Sequence, residues 1–291
     1  MKLEAAVSGR EQIADWVETT LLARGTRQVG DDELVALAES ELGAHAHQVS
    51  FAQRVMGHRA ATLGDRYPFI VSPLAVRAHA GAMAAPYAAL LLLSSGSVAR
   101  QLVSESSTKE MEILFERISE AGLARLWGKG GRAIRFGWPS EVGRPPEFPR
   151  AIEWLANELG VPVGAGYRPP IRRDGGVDVV AWRPFPDGRA GFPVVLAQCT
   201  LQAELVTKAS DVEPRVWASW LRMDVDPVTA LVVPQTIGDD RLWGQLAVRG
   251  MVIERIRLSG LIEPGTEIVD MVSWVEGTLG AIRPYLGGAQ D

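Results

Sequence analysis

Gly175-Gly176-Val177-Asp178-Val179-Val180-Ala181-Trp182 and, a little further on, Pro193-Val194-Val195-Leu196-Ala197-Gln198-Cys199-Thr200 decide how this chain is read. Both runs are rich in the β-branched and apolar residues that strands favour, and Pro186-Asp187-Gly188 between them is a turn signal. The runs are therefore expected to pair as an antiparallel hairpin. A turn centred on Gly188 joins residues whose numbers add to 376, which sets Asp178 opposite Gln198. Directly opposed side chains share a face at roughly 5 Å. Alternation then adds Val180 and Thr200 to that face and turns Cys199 away. A carboxylate and an amide oxygen so placed can both bind a hard divalent cation. The plain alternative is that Asp178 caps locally and Gln198 is an ordinary strand residue.

Outward from the hairpin the pattern is mixed. Ser107 and Glu110 form an S-x-x-E capping box ahead of an apolar helical series through Met111, Leu114, Phe115, Ile118 and Leu126, and this helix carries Glu116. A short strand is expected over Ala133–Gly137, a helix over Phe148–Leu159, a helix over Glu213–Leu221, strands over Ala230–Pro234 and Met251–Leu258, and a closing helix over Glu267–Leu286. The first hundred residues read as mostly helical, with apolar recurrence at three and four over Glu11–Ala23, Asp32–Leu42 and His45–Leu63. Ser94-Ser95-Gly96-Ser97 is a linker candidate, so two domains are expected: a helical region over 1–104 and an α/β domain over 105–291.

Composition bounds the rest. With 47% hydrophobic and 22% charged residues in 291, the chain has the make-up of a globular protein. Its longest apolar stretch, Ala82–Leu93, is twelve residues and holds Pro86, whereas a bilayer span needs about 20. It reads as a buried helix, and the chain as a cytoplasmic protein with no membrane partner. The lone Cys199 excludes an internal disulfide and a multi-cysteine zinc site. Net charge is −5, but residues 1–120, 121–190 and 191–291 carry −4, +4 and −5, so only the middle block is basic. Its arginines either border a phosphate-binding surface or simply solvate loops and helices.

Several motifs point to structure and not to chemistry. Gly128-Lys129-Gly130-Gly131 lacks P-loop spacing, the four histidines lack a zinc spacing, and no serine sits in a G-x-S-x-G elbow. Trp217 and Trp220, three apart, are expected in a core.

The hairpin residues Gly175–Trp182 and Val194–Cys199 resemble the PD-(D/E)XK nuclease superfamily, in particular its Mrr-like branch, whose G-x-D-V-V strand is followed by an apolar strand ending in Q-x-K. Phe115-Glu116 resembles the family's leading F-E. The resemblance covers about residues 105–291 and implies a restriction-endonuclease-like fold, a mixed sheet flanked by helices in the order helix–strand–strand–strand–helix–strand, with the Phe148 helix inserted. It implies Mg²⁺ or Mn²⁺ held by Asp178, the Gln198 amide oxygen and the Cys199 main-chain carbonyl, with Glu116 holding a water or a second ion. It implies hydrolysis of DNA phosphodiesters, in phage defence or DNA restriction. Because only the middle block is net basic, its arginines, Arg135, Arg172 and Arg173 among them, are expected to border the site and contact phosphate. The family's lysine position is Thr200 here, which can hydrogen-bond but carries no charge. Lys208 is then the candidate for the missing charge, its alternative being an ordinary surface lysine. Two non-enzymatic readings stand beside this one. A degenerate nuclease-fold module would bind nucleic acid or a larger protein partner, and an interaction module would dock through the leucine-rich helix.

Overall fold

A computed structural model describes residues 9–72, 74–102, 105–166 and 175–286. In chain order the helices and strands are α1 (Arg10–Arg24), β1 (Val29–Gly30), α2 (Asp31–Leu42), α3 (Ala46–Leu63), β2 (Phe69–Val71), β3 (Ala75–Ala78), α4 (Pro86–Leu93), α5 (Val98–Leu102), α6 (Glu105–Leu123), β4 (Arg132–Arg135), α7 (Phe148–Leu159), β5 (Val179–Trp182), β6 (Val194–Cys199), α8 (Leu205–Lys208), α9 (Pro214–Trp220), β7 (Val228–Val232), α10 (Asp240–Ala247), β8 (Met251–Ile253), α11 (Arg255–Leu261) and α12 (Met271–Ile282). The fold is mixed α/β and divides into two compact units.

The first unit gathers 1–114 with 234–238 and 255–291. The helical reading of the N-terminal third holds for α1, α2 and α3, but a three-stranded antiparallel sheet, β1-β3-β2, accompanies them. The closing helix, expected in the second domain, belongs here as α12. Helix α4 opens on Pro86, where a missing N–H costs nothing. Every residue from Tyr87 to Leu93 is fully buried. The leucine-rich helix is therefore core, and it offers no exposed face to a docking partner. Around it lies a buried polar cluster: Arg59 and Arg255 reach Asp15 at 2.8 and 2.6 Å, and Arg59, Tyr67 and Tyr87 bond Glu18 at 2.8, 2.5 and 2.9 Å.

The second unit spans 115–233 and 239–254 and is built on a five-stranded sheet, β4-β5-β6-β7-β8. The first three strands are antiparallel neighbours, and β7 and β8 add in parallel. A parallel neighbour needs a crossover. Helices α8 and α9 make it between β6 and β7, and α10 makes it between β7 and β8. The crossover α10 is absent from the expected order, and the strand expected over Met251–Leu258 stops at Ile253, where α11 follows.

One face of the sheet carries the core. Helix α7 presents Ala151, Ile152, Leu155, Ala156 and Leu159 to Phe136, Val180, Trp182, Val194 and Leu196, with Trp217 and Trp220 of α9 closing the cluster. That stripe recurs at helical spacing, and Gly160 at φ 71° ends the helix with its N–H on the Ala156 and Asn157 carbonyls. Each fully buried leucine here stabilises by about 1.5–3 kcal/mol.

Among the described residues no helix is long and apolar enough to cross a membrane.

Candidate functional site

Strands β5 and β6 pair in the expected register, Val179 with Ala197 and Val180 with Leu196. The expected alternation breaks at one place, and it is the place that matters. Val177 and Val180 both join the core on the α7 face, leaving Asp178 and Val179 between them. The Asp178 N–H donates to the Ala197 carbonyl at 2.9 Å, although Ala197 is the partner of Val179. Two residues opposite one make a β-bulge, which re-aims a side chain. Asp178 therefore does not pack across from Gln198 as simple alternation predicts. Its Oδ2 accepts the Cys199 N–H at 2.8 Å, at the end of β6.

Gln198 lies beyond Leu196 on β6 and is 6% exposed. Its Nε2 donates to Asp211 Oδ2 at 3.2 Å, and the same oxygen accepts Lys208 Nζ at 3.3 Å. The Gln198 Oε1 is buried and has no hydrogen-bond partner. Glycine places Asp211 there. Gly176 sits at φ 82°, and a Cβ on it would come within 2.9 Å of the Asp211 carbonyl oxygen. Gly175, at φ 63°, passes just as closely over the rings of Trp217 and Trp220. The Gly-Gly pair ahead of Asp178 is thus what lets this strand entry approach the loop between α8 and α9.

Cys199 faces α6. Burial first, and then the negative charge of Asp178, push its thiol well above the usual range, so it is a neutral S–H. On the same helix Glu116 is buried, and its Oε2 accepts Arg135 Nη1 at 3.0 Å. Arg135 also donates to the Pro139 carbonyl. Being 2% exposed and so engaged, Arg135 cannot offer its guanidinium to a nucleic-acid phosphate. Glu120, one turn on from Glu116, has its carboxyl raised, chiefly by burial. Thr200 is buried too, and its hydroxyl accepts the Gln202 N–H at 3.2 Å. Arg172 and Arg173 lie outside the described residues.

The predicted residues thus form two polar groups around the end of β6: Asp178, Cys199, Glu116 and Arg135 toward α6, and Gln198 with Lys208 toward Asp211. No family model, curated protein or solved structure matches the chain. Among the described residues, no three His, Cys, Asp or Glu side chains gather closely enough to hold a metal by themselves. An ion beside Asp178 would rest on its carboxylate and on main-chain oxygen, ligand types that hard cations accept.

Asp211 is the residue that sequence reasoning missed. The signal available was its spacing of three from Lys208, which puts an acid and a base within reach on a helical turn.

Proposed function

We propose that the second unit is a metal-dependent nuclease that hydrolyses DNA phosphodiester bonds. The observation that carries this reading is the polar group at the end of β6, where the Asp178 carboxylate accepts the Cys199 N–H and the buried Glu116–Arg135 pair lies on the neighbouring helix. The order α6, β4, β5, β6, then a helical crossover to a parallel β7, with α7 inserted, supports the reading, since it is the order that the nuclease resemblance implies.

The resemblance implies Mg²⁺ or Mn²⁺ held by Asp178, the Gln198 amide oxygen and the Cys199 main-chain carbonyl. Of these, Asp178 and the Cys199 main chain lie together, with the Glu116–Arg135 pair beside them, and would hold the ion, while Gln198 belongs to the other polar group with Asp211 and Lys208. Bound there, the ion would lower the pKa of a water and offset charge on the phosphate. Lys208 supplies the positive charge that Thr200 cannot. It lies one carboxylate away from Gln198, since both donate to the same Asp211 oxygen.

Purified protein with Mg²⁺ or Mn²⁺ is expected to cut duplex or single-stranded DNA. Asp178→Ala should abolish cutting by removing a ligand. Lys208→Ala should slow it about a hundredfold or more through lost charge stabilisation. No cleavage by the wild type with either ion would abandon the enzyme in favour of a degenerate module that binds nucleic acid or a protein partner. The buried, already bonded Thr200 in the lysine position is the observation on that side.

A further inference from the structure

We infer that α3 is a recognition helix whose outward stripe, His47, Ser50, Phe51 and Arg54, reads base edges in the major groove of duplex DNA. The inference concerns the first unit alone and does not rest on the nuclease reading of the second.

Helix α2 ends at Leu42, Gly43-Ala44-His45 make the turn, and α3 begins at Ala46. Gly43, at φ 65°, ends α2 with its N–H on the Ala38 and Glu39 carbonyls. Two helices joined by a three-residue turn that contains glycine form a helix-turn-helix, whose second helix lies in the major groove with its N-terminal residues against the bases. Helix α1 packs along α3, β1 pairs with β3, and the antiparallel hairpin of β2 and β3 follows α3 with β2 packed on it. The whole arrangement lies within the first unit.

Val49, Ala52 and Met56 turn into the core, which leaves His47, Ser50, Phe51, Arg54 and His58 exposed on the other side of α3. Phe51 is 46% exposed, and the Arg54 guanidinium lies 4.1 Å from its ring centroid. No acid occurs anywhere in α3. These side chains match what the major groove displays: arginine bonds guanine through two N–H groups, a serine hydroxyl donates or accepts, and a phenyl ring packs on the thymine methyl. The acids at the start of α2 are engaged in part, since Glu33 pairs with Arg24 and Arg27, and Asp31 accepts Gln53 Nε2 at 2.7 Å. Asp32 and Glu39 stay exposed, and residues 1–120 carry a net −4. Phosphate neutralisation is therefore small, and binding has to come from base contacts at a selected site.

The test offers the full-length protein short randomised DNA duplexes for repeated selection, in EDTA so that nothing is cut, and then titrates the enriched duplex by fluorescence anisotropy. The pool should converge on one site. Arg54→Ala should weaken binding to that site by about tenfold or more and relax the preference at one base pair. Arg54→Lys keeps the charge but loses the planar fork, so it should relax the same preference. Phe51→Ala should relax a neighbouring position. Arg189→Ala removes an equal charge from the exposed turn between β5 and β6, and should leave binding unchanged. The three altered residues are exposed, and circular dichroism checks that each variant keeps the fold. A pool that does not converge overturns the inference, and so does a selected site whose affinity survives Arg54→Ala. A loss that is equal for every duplex and is restored by Arg54→Lys also overturns it, because Arg54 would then contact phosphate only. Cleavage is not measured, so none of these outcomes bears on the nuclease proposal.

Discussion

Gly176 and Gly188 both sit at positive φ, 82° and 69°, yet their surroundings differ. A Cβ at Gly188 would meet nothing within 4 Å, whereas at Gly176 it would stand 2.9 Å from the Asp211 carbonyl oxygen. Backbone strain alone costs about 1–3 kcal/mol at such positions. Gly176→Ala is therefore expected to destabilise the protein more than Gly188→Ala. Chemical denaturation of the two variants checks this, and equal losses would show that the close approach has no role. At this scale the glycines were visible in the sequence as part of a strand-entry pattern, but their neighbour was not. Asp211 lies 35 positions from Gly176 in the chain, and only folding brings them together.

Among the elements, α7 was legible to the residue because its apolar stripe, its proline in the first turn and its terminal glycine all agree. Leu155 is completely buried in that stripe, while Glu153 is exposed on the same helix. Leu155→Ala should cost about 2–5 kcal/mol, and Glu153→Ala should stay within about 0.5 kcal/mol, both read from urea denaturation. Comparable effects would mean that the helix is not docked on the sheet. Other elements hid for identifiable reasons. Strands β1, β2 and β3 are two to four residues long, too short for a period of two to register. Helix α10, absent from the expected order, is only eight residues long and opens on Asp239, whose carboxylate accepts the Arg241 and Leu242 N–H groups. The bulge at Asp178 is a departure from alternation that no propensity marks.

For the molecule, the decisive long-range feature is the ion cluster of the first unit, where Asp15 and Glu18 of α1 meet Arg59 of α3 and Arg255 of α11. Removing one partner from such a buried set leaves a charge uncompensated. Arg255→Met should therefore cost about 3–5 kcal/mol, seen as a large drop in urea midpoint, and a change under about 1 kcal/mol would show the cluster to be dispensable. Burial alone would raise the Asp15 carboxyl, but the charges of Arg255 and Arg59 outweigh it and hold the group below the ordinary range. The sign follows from linkage. A depressed carboxyl contributes stability above its unfolded pKa of about 3.9, and loses that contribution as pH falls through the folded value. Melting temperature should accordingly drop below pH about 4, and Asp15→Asn should flatten that drop while lowering stability at neutral pH. A melting profile unchanged by Asp15→Asn would remove Asp15 from the acid transition.

The sequence by itself determined what depends on near neighbours: the hairpin and its register, the helices with complete stripes and caps, and the buried leucine-rich segment. Tertiary structure decided what depends on residues far apart in the chain. It moved the closing helix into the first unit, placed the two arginines against the acids of α1, tied up Arg135 with Glu116, and brought Asp211 to Gln198 and Lys208. The physical reason is that periodicity reports only which face of an element is apolar. The partner of a buried charge or amide is chosen by three-dimensional packing, where the cost of leaving a polar group unpaired is met by whichever complementary group the fold delivers.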